Sequence, residues 1–130
     1  MKYLFDTNVL VDHLRGTHPI PNLVVSSKPA VSIITIGELY YGAEKSNNHE
    51  QTLILLDELF SQLNLVVLPL DFDTIRLFAF HKSELEKKGA RIEDFDLLIG
   101  STALSNDLTL VSRNVKHFKR IKGLKVKSLI

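Results

Sequence analysis

Short apolar segments alternate along this chain with longer segments of helical periodicity, and this order restricts the fold more than any other feature of the sequence. The short segments are rich in β-branched and large apolar residues and predict five strands, at residues 3–5, 30–32, 65–68, 108–112 and 124–129. Between them, apolar residues recur every three to four positions, which predicts helices at residues 8–14, 32–44, 49–63, 71–88 and 95–105. Alternating strands and helices are typical of an α/β fold, with a parallel sheet between two layers of helices.

The chain is predicted to be one cytoplasmic domain spanning residues 1–130. It contains no repeat or long flexible linker, and 45% hydrophobic with 24% charged residues is normal for a soluble globular protein. The first apolar stretch, residues 3–5, is too short for a signal-peptide core, and no later stretch approaches the length needed to cross a membrane. The absence of cysteine excludes disulfides and thiolate metal ligands.

Three acidic residues lie near the junctions where predicted helices begin. Asp6 directly follows the first strand, Glu38 lies near the second turn of an apolar helix, and Asp96 begins another apolar helix. Each acid alone has a structural explanation: Asp6 as a helix cap, Glu38 as an exposed helix position, and Asp96 as an anion that complements the helix dipole. The carboxyl ends of parallel strands share one edge of a sheet, where ligands bind. The three acids are therefore expected to meet there.

Polar residues also follow the fourth predicted strand. Ser112 and Asn114 could orient a bound water or take part in coordination, and Arg113 could reach a phosphate, although a turn explains Ser112 and Asn114 equally well. Carboxylate and amide oxygens suit hard cations such as Mg²⁺ or Mn²⁺, which can activate water beside a phosphate. Zinc is disfavoured, because cysteine is absent and the five histidines lack ligand-like spacing. His81 and His117 are therefore interpreted as surface or packing residues.

The C-terminal part of the chain is basic. No acidic residue follows Asp107, and the cations beyond it are Arg113, Lys116, Lys119, Arg120, Lys122, Lys125 and Lys127. This distribution fits contact with a phosphate backbone. The alternative is a solvated edge strand whose lysines discourage aggregation, and charge alone favours that alternative.

Four stretches match the pattern of a known family, in family order and spacing. They are Leu4-Phe5-Asp6-Thr7-Asn8, Glu38-Leu39-Tyr40-Tyr41-Gly42-Ala43, Asp96-Leu97-Leu98-Ile99-Gly100, and Leu110-Val111-Ser112-Arg113-Asn114 with Phe118. On these residues the chain resembles the PIN-domain ribonucleases, specifically the VapC-type toxins of toxin–antitoxin pairs. The resemblance spans essentially the whole chain.

The resemblance implies a three-layer α/β/α domain with a central parallel sheet of about five strands. It also implies an endoribonuclease that requires Mg²⁺ or Mn²⁺ and inhibits translation or growth, a homodimer, and a cognate antitoxin that covers the active site. Asp6, Glu38 and Asp96 are the catalytic and metal-binding acids that it implies. Thr7 and Ser112 would support them. With the resemblance, RNA-backbone contact becomes the favoured role for Arg113 and the basic C-terminal segment.

Asn114 and Ser112 depart from the residues of many members of this family, which have an acid and a threonine at these two positions. Ser112 keeps the hydroxyl, whereas Asn114 keeps an oxygen but loses a charge. We therefore expect one firmly held metal ion, with a second ion bound only alongside RNA.

Three other functions fit part of the pattern. A catalytically silent PIN domain that only binds RNA or a protein partner is favoured by Asn114 and opposed by the three retained acids. A receiver-like Mg²⁺-binding signalling domain would need a phosphoacceptor after the third strand, where Asp71 has the position of a helix cap. A haloacid-dehalogenase-type phosphatase would need an acid at Asn8.

Overall fold

The computed structural model describes residues 1–129, which form one parallel sheet covered by helices on both faces. The strands are β1 (Tyr3–Phe5), β2 (Ala30–Ser32), β3 (Val66–Leu68), β4 (Thr109–Val111) and β5 (Val126–Lys127). The helices are α1 (Thr7–Arg15), α2 (Asn22–Val25), α3 (Ile33–Lys45), α4 (His49–Leu63), α5 (Phe72–Lys87), α6 (Asp94–Ser105) and α7 (Val115–Phe118). The strand order is β3-β2-β1-β4-β5, and every neighbouring pair is parallel. The predicted three-layer α/β/α fold is confirmed.

The core is divided between the two faces of the sheet, because successive side chains of a strand point in opposite directions. Leu4 packs into the core that contains residues of α5, α6 and α7, whereas Phe5 packs with residues of α1, α3 and α4. Leu110 and Val111 show the same alternation. All four side chains are fully buried. Burial on both faces explains why these strands are continuously apolar in sequence.

The five long helices lie close to their predicted bounds, but three smaller features differ. Helices α2 and α7 were not expected, because four residues are too few to show helical periodicity. The strand expected over residues 124–129 is reduced to Val126–Lys127, an edge strand that pairs only with β4 within residues 1–129. None of the helices in this part of the chain combines the length and apolar character that crossing a membrane requires.

Gly100 allows α6 to approach the segment after α7. A Cβ at this position would lie 2.7 Å from Ile121 Cδ1, and Ile121 is fully buried, so it has little room to move. We expect Gly100→Ala to lower the free energy of unfolding by about 1 kcal/mol, because overpacking outweighs the gain in helix propensity. Gly42→Ala in α3 is the matched control, since nothing lies within 4 Å of its added methyl group and it should stabilise the protein. Urea unfolding compares the two variants, and equal stabilisation by both would contradict this packing.

Candidate active site

Asp6, Glu38 and Asp96 line one open cleft at the carboxyl edge of the sheet. Asp6 follows β1 and caps α1, Glu38 lies in α3 after β2, and Asp96 lies in the first turn of α6. The cleft has a volume of about 290 Å³, and its remaining lining residues are Thr7, Asn8, Val11, Arg113 and Asn114. Three acids that are distant in sequence therefore border one solvent-accessible site.

Asp6 is almost fully buried, and each of its carboxylate oxygens accepts a hydrogen bond. The Thr7 amide donates to Oδ1 at 2.8 Å, and Ser112 Oγ donates to Oδ2 at 2.8 Å. Burial raises the pKa of Asp6 above its usual range, these two hydrogen bonds oppose the increase, and the Asp96 carboxylate adds to it. A bound cation would therefore stabilise the charged form of Asp6.

Asp96 faces a histidine as well as the other acids. His117 Nε2 lies 3.3 Å from Asp96 Oδ2, close enough for an ion pair but not aligned as a hydrogen bond. Burial raises the pKa of Asp96, the charge of His117 lowers it, and the Glu38 carboxylate raises it again. The His117 ring does pack, edge-on against Phe118. Its contact with a site acid is a feature that the sequence analysis missed, because the sequence shows no pairing signal between α6 and α7.

Thr7 connects Glu38 to the start of α1. Thr7 Oγ1 lies 2.7 Å from Glu38 Oε1 and donates a hydrogen bond to it, while the Thr7 amide binds Asp6. Glu38 is half-buried, so its carboxylate is partly shielded from water. One residue thus fixes two acids that belong to different elements, which is a supporting position of the kind expected for Thr7.

Ser112 contacts Asp6 from the end of β4. It is fully buried, and its Oγ donates a hydrogen bond to Asp6. The same Oγ accepts a hydrogen bond from the backbone amide of Asn114 at 2.9 Å. The side-chain Nδ2 of Asn8 lies 3.5 Å from the same hydroxyl. Asn114 is exposed and lines the cleft. Ser112 therefore orients Asp6, whereas Asn114 can contact a molecule bound in the cleft.

Arg113 lies at the rim of the cleft and is anchored by α1. Its Nε lies 2.8 Å from Asp12 Oδ2, and its backbone amide donates to Asn8 Oδ1 at 3.3 Å. The Asp12 side chain is 11% exposed, whereas that of Arg113 is 49% exposed. The ion pair therefore holds the guanidinium beside the cleft without burying it. The sequence did not indicate Asp12, because an acid within a helix gives no signal of a partner far along the chain.

The lysines of the basic C-terminal segment lie outside the cleft lining. Lys127 Nζ donates to Tyr3 Oη at 3.2 Å, and Lys125 Nζ lies 3.8 Å from Asp107. Among residues 1–129, Arg113 is the cationic side chain that lines the cleft. Contact of the other cations with RNA stays a prediction.

The donor atoms of the site fit a hard divalent cation. Asp6, Glu38 and Asp96 provide carboxylate oxygens, and the proximity of these acids contributes to the raised pKa values of Asp6 and Asp96. Within residues 1–129, no three acidic or histidine side chains lie close enough together to hold one metal ion without other ligands. Magnesium commonly uses one or two carboxylates and completes its coordination with waters and substrate phosphates. A complete protein cage is therefore not required.

Known proteins are similar to this chain in both fold and sequence. A family model described as the PIN domain matches residues 3–124. Ribonuclease VapC2 of Rickettsia felis is 37% identical over 132 residues, covering 95% of each chain. The tRNA(fMet)-specific endonuclease VapC of Salmonella typhimurium is 31% identical, covering 97% of this chain and 96% of the relative. Among solved structures, VapBC2 of Rickettsia felis bound to a promoter DNA fragment has a chain with a TM-score of 0.87 and 32% identity, covering 98% of each chain.

The chain therefore belongs to the PIN-domain family. Within that family, relatives matched over nearly the full length include the VapC proteins of Rickettsia felis and Salmonella typhimurium, so the chain is a member of the VapC group. The resemblance read from the four sequence stretches is confirmed.

Proposed function

We propose that this protein is a Mg²⁺- or Mn²⁺-dependent endoribonuclease that acts in the cytoplasm as the toxin of a toxin–antitoxin pair. The observation that carries the proposal is the cleft bordered by Asp6, Glu38 and Asp96 in a chain of the VapC group. The names of the Rickettsia and Salmonella relatives, a ribonuclease and an endonuclease, support it. Acids that can hold a cation, beside an arginine that can bind phosphate, suit hydrolysis of a phosphodiester.

Asp6, Glu38 and Asp96 would hold the cation, which when bound activates water and neutralises charge on the scissile phosphate. Ser112 and the Thr7 amide keep the Asp6 oxygens in place. The Thr7 hydroxyl binds Glu38 Oε1. Glu38 Oε2 then either ligates the cation beside Asp6 and Asp96, with the proton of the attacking water passing to solvent, or itself takes that proton as the general base. As the water oxygen bonds to phosphorus, the bond to the opposite ribose oxygen breaks, and that oxygen takes a proton from solvent.

The first test measures cleavage of a total RNA pool by the purified protein, freed of any antitoxin, with Mg²⁺, Mn²⁺ or EDTA. We expect internal cleavage with either metal and none with EDTA. Intact RNA in all three conditions would contradict the nuclease. It would favour a silent domain that binds RNA or a protein partner, for which Asn114 and the incomplete acid cluster within residues 1–129 are the supporting observations.

The receiver-like alternative has no support at its required position. Asp71 follows β3 by a few residues, and its Oδ1 accepts a hydrogen bond from the Thr74 amide at 2.9 Å, as a helix cap does. Asp71 does not line the acidic cleft.

We also propose that Arg113 binds an RNA phosphate. Asp12 holds its Nε, so the two terminal nitrogens remain to donate to phosphate oxygens. Arg113→Gln should raise KM more than it lowers kcat, and the slope of log KM against log salt concentration should shrink by about 0.7–1. Lys2→Gln is the control, because Lys2 is exposed and directly precedes β1, at the amino edge of the sheet, whereas the cleft lies at the carboxyl edge. An unchanged salt slope in Arg113→Gln, with normal thermal unfolding, would refute the phosphate contact.

A cognate antitoxin and a second copy of the chain are the proposed protein partners. Solved relatives at 28–32% identity include VapBC assemblies of Rickettsia felis, Salmonella typhimurium and Haemophilus influenzae. The surface of this chain exposes large apolar side chains, among them Leu23 at 84% and Phe72 at 88%. Equimolar cognate antitoxin should abolish RNA cleavage, and expression without it should arrest growth.

The second proposed partner is another copy of the chain. Sedimentation of the purified chain should show a dimer, and a monomer at micromolar concentration would contradict the proposed homodimer.

A further inference from the structure

Thr35 is a buried polar residue to which the reaction outlined above assigns no role. It lies in the first turn of α3, one turn before Glu38, and its side chain is fully buried. Thr35 Oγ1 lies 3.1 Å from Thr7 Oγ1, which in turn lies 2.7 Å from Glu38 Oε1. The three side chains form a continuous chain of polar contacts that begins in the interior and ends on an acid of the cleft.

The number of available protons determines the direction of these hydrogen bonds. The Thr7 hydroxyl carries one proton, and an ionised Glu38 carboxylate carries none. The Thr7 proton must therefore be used in the 2.7 Å bond to Glu38. Thr7 Oγ1 has donor geometry toward both Thr35 Oγ1, at 3.1 Å, and Glu38 Oε1, but its single proton can serve only one of them. Since the shorter bond to the charged carboxylate takes that proton, we infer that the Thr35 hydroxyl supplies the proton of the 3.1 Å contact. Accepting a hydrogen bond polarises the Thr7 hydroxyl and strengthens its own donation.

We propose that Thr35 is a positioning residue for RNA hydrolysis, acting through Thr7 on Glu38. By donating to Thr7, it holds that hydroxyl in the one orientation that binds Glu38 Oε1. Glu38 is half-buried on a helix and can adopt several rotamers, so this bond restricts its carboxylate to the cleft. Thr35 does not line the cleft, which means that its influence must pass through Thr7. The inference rests on the proposed nuclease function.

Two substitutions separate this role from simple packing. Thr35→Val keeps the shape of the side chain and removes the hydroxyl, whereas Thr35→Ser keeps the hydroxyl and removes the methyl group. Positioning through the hydroxyl predicts that Thr35→Val lowers kcat about 5- to 10-fold with little change in KM, and that Thr35→Ser stays within about twofold of the wild type. Packing through the methyl group predicts the opposite order.

A double-mutant cycle tests whether the effect passes through Thr7. Thr7→Val should lower kcat more than Thr35→Val does, and Thr35→Val should cause no further loss when Thr7 is already valine.

Mn²⁺ titration by calorimetry gives a readout independent of turnover. We expect several-fold weaker Mn²⁺ binding in Thr35→Val and recovery in Thr35→Ser, because Glu38 is one of the proposed ligands.

Thermal unfolding of each variant shows whether the fold is retained. If Thr35→Val does not fold, the comparison of Thr35→Ser with Thr7→Val tests the proposal instead. Wild-type cleavage and Mn²⁺ affinity in Thr35→Val would overturn the role of Thr35 alone. An equal loss in Thr35→Val and Thr35→Ser would also overturn it. A wild-type protein that cleaves no RNA would overturn both the nuclease and this inference.

Discussion

Asp6→Asn should abolish metal-dependent RNA cleavage while the protein stays folded. Asparagine has the shape of aspartate and keeps one oxygen, so the Thr7 amide retains its acceptor. The substitution removes the negative charge that a cation needs at the most buried acid of the cleft. Loss of a residue that merely supports a ligand typically costs 10- to 100-fold, so loss of a ligand should lower kcat/KM by at least about 100-fold. Single-turnover cleavage with Mg²⁺ and with Mn²⁺ measures the effect.

The same variant should be at least as stable as the wild type when no metal is present. Burial and the Asp96 carboxylate raise the pKa of Asp6, so the folded state disfavours its charged form. A raised carboxylate pKa means that stability is lost as the pH rises from the unfolded-state pKa of the group through its folded-state pKa. Removing the charge removes the penalty, and thermal unfolding in EDTA should show an unchanged or higher midpoint.

Asp94→Asn is the matched control for charge in the same helix. Asp94 lies two residues before Asp96, is 55% exposed and pairs with Lys82 at 2.9 Å. It does not line the cleft, so its substitution should leave cleavage within about twofold, as expected for an exposed ion pair. Equal losses in Asp6→Asn and Asp94→Asn would mean that general electrostatics, and not a bound cation at Asp6, governs the activity.

The fold could be predicted because its evidence is local. Burial on both faces makes the central strands mostly apolar, and the long helices show regular spacing of apolar residues. Short elements lack this evidence: α7 spans four residues and β5 two. The sequence therefore missed α7, the helix that brings His117 to Asp96.

The grouping of the three acids could be predicted for a different reason. Parallel strands place their carboxyl ends at one edge, so residues that follow β1 and β2 must lie near each other. The partners of each acid depend on side-chain orientation and on contacts between distant segments. The pairing of Asp12 with Arg113 and the contact of Thr35 with Thr7 are of this kind. Neither has a local signature in the sequence.

Ser112→Ala should reduce cleavage by about 10- to 100-fold, which is the cost expected when the hydrogen-bonding partner of a metal ligand is removed. Ser112 Oγ is the donor to Asp6 Oδ2 and the acceptor for the Asn114 amide, so alanine leaves one buried acceptor and one donor without this partner. The Asp6 carboxylate would then be free to turn away from the cleft. Mn²⁺ affinity measured by calorimetry should fall in parallel with kcat/KM.

Ser112→Thr separates the hydroxyl from the size of the side chain. Threonine keeps the hydroxyl and adds one methyl group to a side chain that is fully buried. Because the hydroxyl is kept, we expect cleavage and Mn²⁺ affinity within about threefold of the wild type, in contrast to alanine. If alanine and threonine behave alike, the bond from Ser112 to Asp6 does not orient the acid. The orientation of the Asp6 carboxylate would then depend on its hydrogen bond to the backbone amide of Thr7 and on the bound cation.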